Sequence, residues 1–112
     1  MSAVTTISTH VLDTSLGRPA AGIKIRLERD GKMLGSGITD NDGRVKDLVE
    51  GGAKLGIGLH TIVFEVGQYF ASTSREAFYE RVTIEFVVSS DSDHYHVPLL
   101  LNPFGYSTYR GS

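Results

Sequence analysis

Histidine is the residue type in this sequence best suited to acid–base chemistry, because its imidazole titrates near neutral pH. The chain contains four histidines, His10, His60, His94 and His96, and no cysteine. His94 and His96 are two residues apart, which places both side chains on one face of a strand. The opposite face of that strand is apolar or aromatic: Tyr95, Val97, Leu99 and Leu101. The histidine face is therefore predicted to be the outer face of a sheet.

His10 stands in a similar pattern, because Ile7 and Val11 lie on the other face of its strand. Three interpretations of these outward histidines compete. They are ordinary surface residues, or a zinc site formed by paired histidines, or groups that act in acid–base catalysis. No acidic or cysteine ligand stands at a recognised spacing, which argues against a metal. Spacing alone ranks catalysis behind the surface interpretation.

Two further segments carry polar groups that could serve a site. Arg44 follows the turn residues Asp42 and Gly43, and is either a solvated turn arginine or a guanidinium that recognises an anion or carbonyl group. The C-terminal segment Tyr109–Ser112 is either a frayed terminus or a fixed tail that adds a phenol, a guanidinium and a carboxylate to a site. Composition does not distinguish these alternatives.

The elements that must position these residues are predicted to be short antiparallel strands, because apolar residues alternate with polar ones between turn signals. We predict strands at 4–13, 23–29, 33–39, 44–48, 59–66, 81–88, 94–101 and 106–110. Tight turns are predicted at Asp30-Gly31 and at 40–43, a glycine-rich loop at 50–58, and a short helix at 67–75. This spacing is typical of a β-sandwich.

Length and composition indicate a single folded domain, residues 1–112. Hydrophobic residues make up 40% of the chain, charged residues 21%, and the net charge is −2, so nucleic acid is not an expected partner. The absence of cysteine excludes disulfides and thiolate catalysis, and fits a reducing compartment. The first ten residues do not form a secretory signal, and no apolar run is long enough to span a membrane. We therefore expect a cytoplasmic protein without a membrane partner.

Three motifs carry a resemblance that runs from end to end. They are residues 8–13 followed by 17–20, residues 39–44, and residues 94–101 followed by 103–112. In these motifs the chain resembles the transthyretin-related 5-hydroxyisourate hydrolases. The terminal Tyr-Arg-Gly-Ser is the most specific part of the match.

The resemblance implies an all-β fold, a transthyretin-like (prealbumin-like) sandwich of two four-stranded sheets with one short helix after the fifth strand. It also implies a homotetramer whose central channel is lined by the outer face of one sheet. In that arrangement the strands that carry His10 and His96 are neighbours.

The implied reaction is hydrolysis of 5-hydroxyisourate to 2-oxo-4-hydroxy-4-carboxy-5-ureidoimidazoline in urate catabolism, by water attack on a cyclic amide. The resemblance assigns catalytic roles to His10, Arg44 and His96, and implies neither a metal nor a cofactor. It assigns substrate contacts to the C-terminal residues Tyr109, Arg110 and Ser112. His94 could support the site, whereas His60 matches no catalytic position.

Two other functions are weighed against the hydrolase. A non-catalytic, transthyretin-like carrier of a small ligand would use the same channel, but His10, His96 and Arg44 make that channel too polar for a hydrophobic hormone. An adhesive β-sandwich module is the second alternative. Such modules usually occur in tandem within longer exported chains, and no linker or signal is visible here.

Overall fold

The computed structural model describes residues 5–49, 55–90 and 93–112, and most of them lie in strands. The elements, in chain order, are β1 (Thr6–Asp13), β2 (Arg18–Pro19), β3 (Lys24–Arg29), β4 (Lys32–Ile38), β5 (Arg44–Val45), β6 (Gly58–Phe64), α1 (Val66–Ser72), β7 (Val82–Val88), β8 (His94–Asn102) and β9 (Gly105–Thr108). The predicted all-β sandwich with one short helix is confirmed.

The strands form two sheets. The first has the order β2-β1-β8-β9, with β5 also paired to β1, and the second has the order β4-β3-β6-β7. The first sheet therefore has five strands where four are expected, because β2 and β5, each two residues long, both pair with β1. Strands β1 and β8 run parallel, and the other pairs are antiparallel.

Alternation along the strands determines which side chains enter the core. In β1 the buried residues include Ile7 and Val11, while Ser8 and His10 lie on the other face and stay partly exposed. Strand β8 buries the predicted apolar set, Tyr95, Val97, Leu99 and Leu101. Each buried aliphatic side chain contributes about 1.5–3 kcal/mol through removal of apolar surface from water. The predicted inner and outer faces of both strands are confirmed.

Two turns have the backbone that their residues predict. Asp30 and Gly31 have φ angles of 52° and 79°, as a tight turn between β3 and β4 requires. In the second turn, Asp40 Oδ1 accepts hydrogen bonds from the N–H groups of Asp42 and Arg44, both at 2.9 Å. Gly43 has a φ of 75°, and a Cβ there would collide with the carbonyl oxygen of Val11. This turn delivers Arg44 to the edge of β1.

Some element ends differ from prediction. The strand expected at 44–48 ends at Val45, because Asp47 Oδ1 accepts the N–H groups of Ile7 and Val49 and turns the chain. The helix expected at 67–75 spans 66–72. It ends where Ser74 adopts a φ of 57°.

Much of the predicted 50–58 loop lies outside the described residues. Within the described part of the chain, no helix is long and apolar enough to cross a lipid bilayer.

Candidate active site

The parallel pairing of β1 with β8 brings the outward histidines onto adjacent strands. Ser8 is the register partner of His96, and His10 is the partner of Pro98, two residues further along. Because both strands alternate with the same period, Ser8, His10 and His96 lie on the same outer face of the sheet. The pairing joins segments about 90 residues apart in sequence, so local pattern alone does not reveal it.

Arg44 reaches the same face from the other side of β1. It is the antiparallel register partner of His10, and the N–H of Val11 donates to the carbonyl oxygen of Gly43 at 2.8 Å. The turn that precedes it is held by Asp40, whose pKa is lowered by the backbone N–H groups of Arg44 and Asp42. The predicted catalytic residues His10, Arg44 and His96 are thus carried by three neighbouring strands.

A cavity of about 290 Å³ opens on this face. Most of the residues that line it are of polar or cationic type: Ser8, Thr9, Arg44, Val45, Lys46, His94 and His96. His10 does not line the cavity but adjoins it through its register partner Arg44. The arrangement combines titratable imidazoles with fixed positive charge, which suits proton transfer beside a developing oxyanion.

The surroundings of His96 favour the neutral form of its imidazole. Partial burial, followed by the charges of Arg44, His94 and His10, lowers the pKa of its imidazole below the ordinary 6.5. At neutral pH it is therefore able to accept a proton. Its Nδ1 lies 2.7 Å from Ser8 Oγ.

The C-terminal segment is fixed to the site by Gly111. The N–H of Gly111 donates to the carbonyl oxygen of His96 at 2.9 Å, and the two residues form an isolated β-bridge. A Cβ at position 111 would overlap Cδ2 of the His96 ring. Only glycine therefore lets the chain run this close to the imidazole, and Ser112 follows it directly.

Tyr109 and Arg110 lie elsewhere in the single chain. Both line a second cavity of about 290 Å³, between the sheets, with residues of β7 and with Tyr95 and Val97 of β8. The guanidinium of Arg110 lies 4.6 Å from the centre of the Tyr95 ring, a cation–π contact. The structure thus places the predicted substrate contacts Tyr109 and Arg110 apart from the cavity lined by Arg44 and His96.

The remaining histidines have separate positions. His60 is fully buried in the other sheet, with its ring nitrogens 3.0 Å from the carbonyl oxygen of Gly58 and 3.1 Å from that of Leu55. His94 is exposed and lines the first cavity. In the described ranges 5–49, 55–90 and 93–112, no cluster of three or more His, Asp or Glu residues could hold a metal ion.

Two residues of this arrangement are given no individual role in the sequence-based prediction, although Gly111 lies within the predicted segment Tyr109–Ser112. Ser8 shares the outer face with His10 by simple alternation, which is a signal that could have identified it. Gly111 stands in the terminal Tyr-Arg-Gly-Ser motif, but alternation does not predict its role, which comes from its contact with His96.

Similarity to known proteins identifies the family of this chain. A model of the HIUase/Transthyretin family matches residues 7–111. The chain belongs to this family.

Among curated members of the family, 5-hydroxyisourate hydrolase 2 of Rhizobium meliloti is 48% identical over 114 residues, which cover 95% of each chain. The structure of Klebsiella pneumoniae 5-hydroxyisourate hydrolase superposes with a TM-score of 0.87 at 41% identity, covering 96% of this chain and 99% of that one. Sea bream transthyretin in complex with thyroxine gives a TM-score of 0.84 at 24% identity, covering 95% of this chain and 94% of that one. That last likeness is one of fold alone, so the family members of higher identity favour the hydrolase over the carrier.

Proposed function

We propose that this protein hydrolyses 5-hydroxyisourate, opening its six-membered ring at an amide bond in urate degradation. One observation carries the proposal: Arg44 and the neutral His96 line the same cavity, and His10 is paired with Arg44 beside them. Relatives at 41–48% identity that bear the name 5-hydroxyisourate hydrolase support the same substrate.

Hydrolysis of a cyclic amide requires a stronger nucleophile than water and a partner for negative charge on oxygen. In the proposal, His96 accepts a proton from water as the water oxygen attacks the amide carbon. Arg44 stabilises the oxyanion of the tetrahedral intermediate. When the carbon–nitrogen bond breaks, the imidazolium returns the proton to the leaving nitrogen. His10 holds the attacking water on the outer face beside Arg44. The protons balance equally well if His10 is the base and His96 holds the water.

The tail completes the proposed site. Ser112 follows the Gly111–His96 bridge, so its terminal carboxylate is available to orient a cationic group. Tyr109 and Arg110 are proposed to hydrogen-bond the carbonyl-rich substrate. For Arg110 this requires its guanidinium to leave the Tyr95 ring, a contact typically worth about 0.5–1 kcal/mol at exposed sites.

The activity is tested directly by generating 5-hydroxyisourate from urate with urate oxidase. The ultraviolet absorbance of the product decays by itself, and we expect the decay rate to rise in proportion to added protein. A decay identical to the blank would contradict the proposal. Saturable binding of the compound without faster decay would indicate a carrier instead.

We further propose that one domain, residues 1–112, carries this function and acts as a cytoplasmic homotetramer. Strands β7 and β9 are edges of their sheets, and Val87 and Tyr106 on them expose 62% and 41% of their surface. Unpaired edges with exposed apolar side chains favour association. Light scattering after size exclusion should give four times the chain mass of 12.2 kDa, whereas the mass of a single chain would contradict the tetramer. Cell fractionation tests the compartment.

A further inference from the structure

We propose that Ser8 and His94 are positioning residues that hold the proton of neutral His96 on Nδ1 and keep the Nε2 lone pair free to accept a proton from water. This inference rests on the proposed function, because it concerns the imidazole assigned as base. It explains why a second, exposed histidine stands beside His96 without being a catalytic residue itself.

The two strands build a continuous row of hydrogen bonds on the outer face. The parallel register sets Thr6 opposite His94 and Ser8 opposite His96. Thr6 Oγ1 is bonded to Nδ1 of His94, and Nε2 of His94 lies 2.9 Å from Ser8 Oγ. Ser8 Oγ in turn lies 2.7 Å from Nδ1 of His96. The row therefore links Thr6, His94, Ser8 and His96 across the two strands, and both of its imidazoles border the cavity.

Counting protons leaves two neutral arrangements of this row. The Ser8 hydroxyl carries one proton, so it donates to one ring and must accept an N–H from the other. In the first arrangement, His96 Nδ1–H donates to Ser8, Ser8 donates to His94 Nε2, and His94 Nδ1–H donates to Thr6 Oγ1. In the second, every bond is reversed, and the proton of His96 lies on Nε2.

Catalysis selects the first arrangement. Nδ1 of His96 is engaged by Ser8 in both, so Nε2 is the ring nitrogen that can face the substrate. Only the first arrangement leaves Nε2 unprotonated and able to act as a base. His94 is required because its Nε2 accepts the Ser8 proton. Without that acceptor the hydroxyl would turn to His96 and reverse the tautomer.

The tautomer is measured without substrate, on protein labelled with ¹⁵N in histidine, by long-range ¹H–¹⁵N correlation at about pH 8, where imidazoles are neutral. Loss of one set of signals in His96→Gln assigns this ring. We expect the proton on Nδ1 in the unmodified protein. In Ser8→Ala and His94→Leu it should move largely to Nε2, the form that neutral imidazole favours in water, and Ser8→Thr should keep it on Nδ1.

Kinetics supply the second readout. Ser8→Ala and His94→Leu should lower kcat about 10- to 100-fold with little change in KM, less than the loss seen when a catalytic histidine is locked in the wrong tautomer. Ser8→Thr should recover most of the activity, and Ser36→Ala, on β4 of the other sheet, should leave it unchanged.

Two results overturn the inference: a proton on Nε2 of His96 in the unmodified protein, or full kcat in Ser8→Ala with its tautomer reversed. A proton on Nδ1 in a protein that does not accelerate ring opening would instead overturn the proposed function. The two failures are therefore distinguishable.

Discussion

Two clusters of ionisable side chains lie on opposite faces of the first sheet: an inner cluster around Asp13 of β1, and an outer cluster formed by His10 of β1, Arg44 of β5 and His96 of β8. On the inner face, the carboxylate of Asp13 is fully buried and bonded to Arg75 at 2.6 Å and to the Tyr69 hydroxyl at 2.7 Å. Its other oxygen accepts Ser15 Oγ and two backbone N–H groups. On the outer face, His96 is only partly buried and borders a cavity.

The pKa values of the two groups are lowered for different reasons. Burial raises the pKa of Asp13, but hydrogen bonds from Arg75, Ser15 and Tyr69 outweigh burial and lower it to about 2. Burial and nearby positive charge lower the pKa of His96. Both carboxylate oxygens of Asp13 accept hydrogen bonds, and the bond from Tyr69 links α1 to β1. In His96 only Nδ1 is bonded to Ser8, so Nε2 is the nitrogen left for proton transfer. In this protein, therefore, the shifted pKa of Asp13 belongs to a structural network, whereas the shifted pKa of His96 belongs to a group that borders a cavity.

The largest expected effect falls on the outer cluster. Replacing His96 or His10 with asparagine should lower kcat about 10²- to 10⁴-fold, because a positioned base or water ligand is lost. The melting temperature should change little, since both side chains lie outside the core. The measurement is the ultraviolet decay assay with thermal unfolding by circular dichroism. Unchanged kcat in both variants would contradict the catalytic role that distinguishes the outer cluster from the inner one.

Replacing Asp13 of the inner cluster should lower the stability of the fold. Asp13→Ala leaves Arg75 and Tyr69 without their buried acceptor, and should lower the free energy of unfolding by about 2–4 kcal/mol. Urea denaturation measures it. The surface pair Arg26–Glu28 is the matched control, because Glu28→Ala should cost less than about 1 kcal/mol.

The pH dependence of stability sharpens this result. The pKa of Asp13 is lower when folded than when unfolded, so its contribution is complete above about pH 4 and is lost as the pH falls to about 2. That contribution is about 2 kcal/mol for the shift from 3.8 to about 2, and the loss should be absent in Asp13→Ala. Equal acid sensitivity of the two proteins would contradict the role of this carboxylate.

Gly111→Ala tests the close approach of the tail to His96. The added Cβ would overlap the imidazole, so the ring or the tail must shift. We expect kcat to fall about 10-fold, since small displacements of a reacting group are costly, while unfolding stays unchanged. Wild-type kcat in this variant would show that the tail does not set the ring position.

The smallest effect is expected in the acid limb of the activity profile. Because the pKa of His96 is lowered, the imidazole remains neutral at pH values where an ordinary histidine is protonated. The acid limb of kcat/KM should therefore have its midpoint below about 6.5, the usual pKa of histidine. A midpoint above that value would contradict the assignment of His96 as the base.

Much of the fold was predictable from local pattern. Alternation identified the buried faces of β1 and β8, and Asp30-Gly31 and 40–43 predicted turns that the structure contains. Local pattern failed where distant contacts set the ends of elements. Asp47 ends the strand at Val45 by accepting the N–H of Ile7, a residue of β1.

The sequence by itself determined which side of each strand a residue faces, because the period of two is a property of the extended backbone. It also determined, through glycine and asparagine or aspartate, where the chain turns. Local pattern did not determine which strands are neighbours; the family resemblance implied that the strands of His10 and His96 adjoin. Only the tertiary structure decided the register, in which Ser8 meets His96 and Arg44 meets His10. It also decided that Arg110 rests on Tyr95 and that Asp13 is buried with Arg75. Which strands pair depends on how the whole core packs. The local sequence around residues about 90 positions apart therefore does not show that they meet.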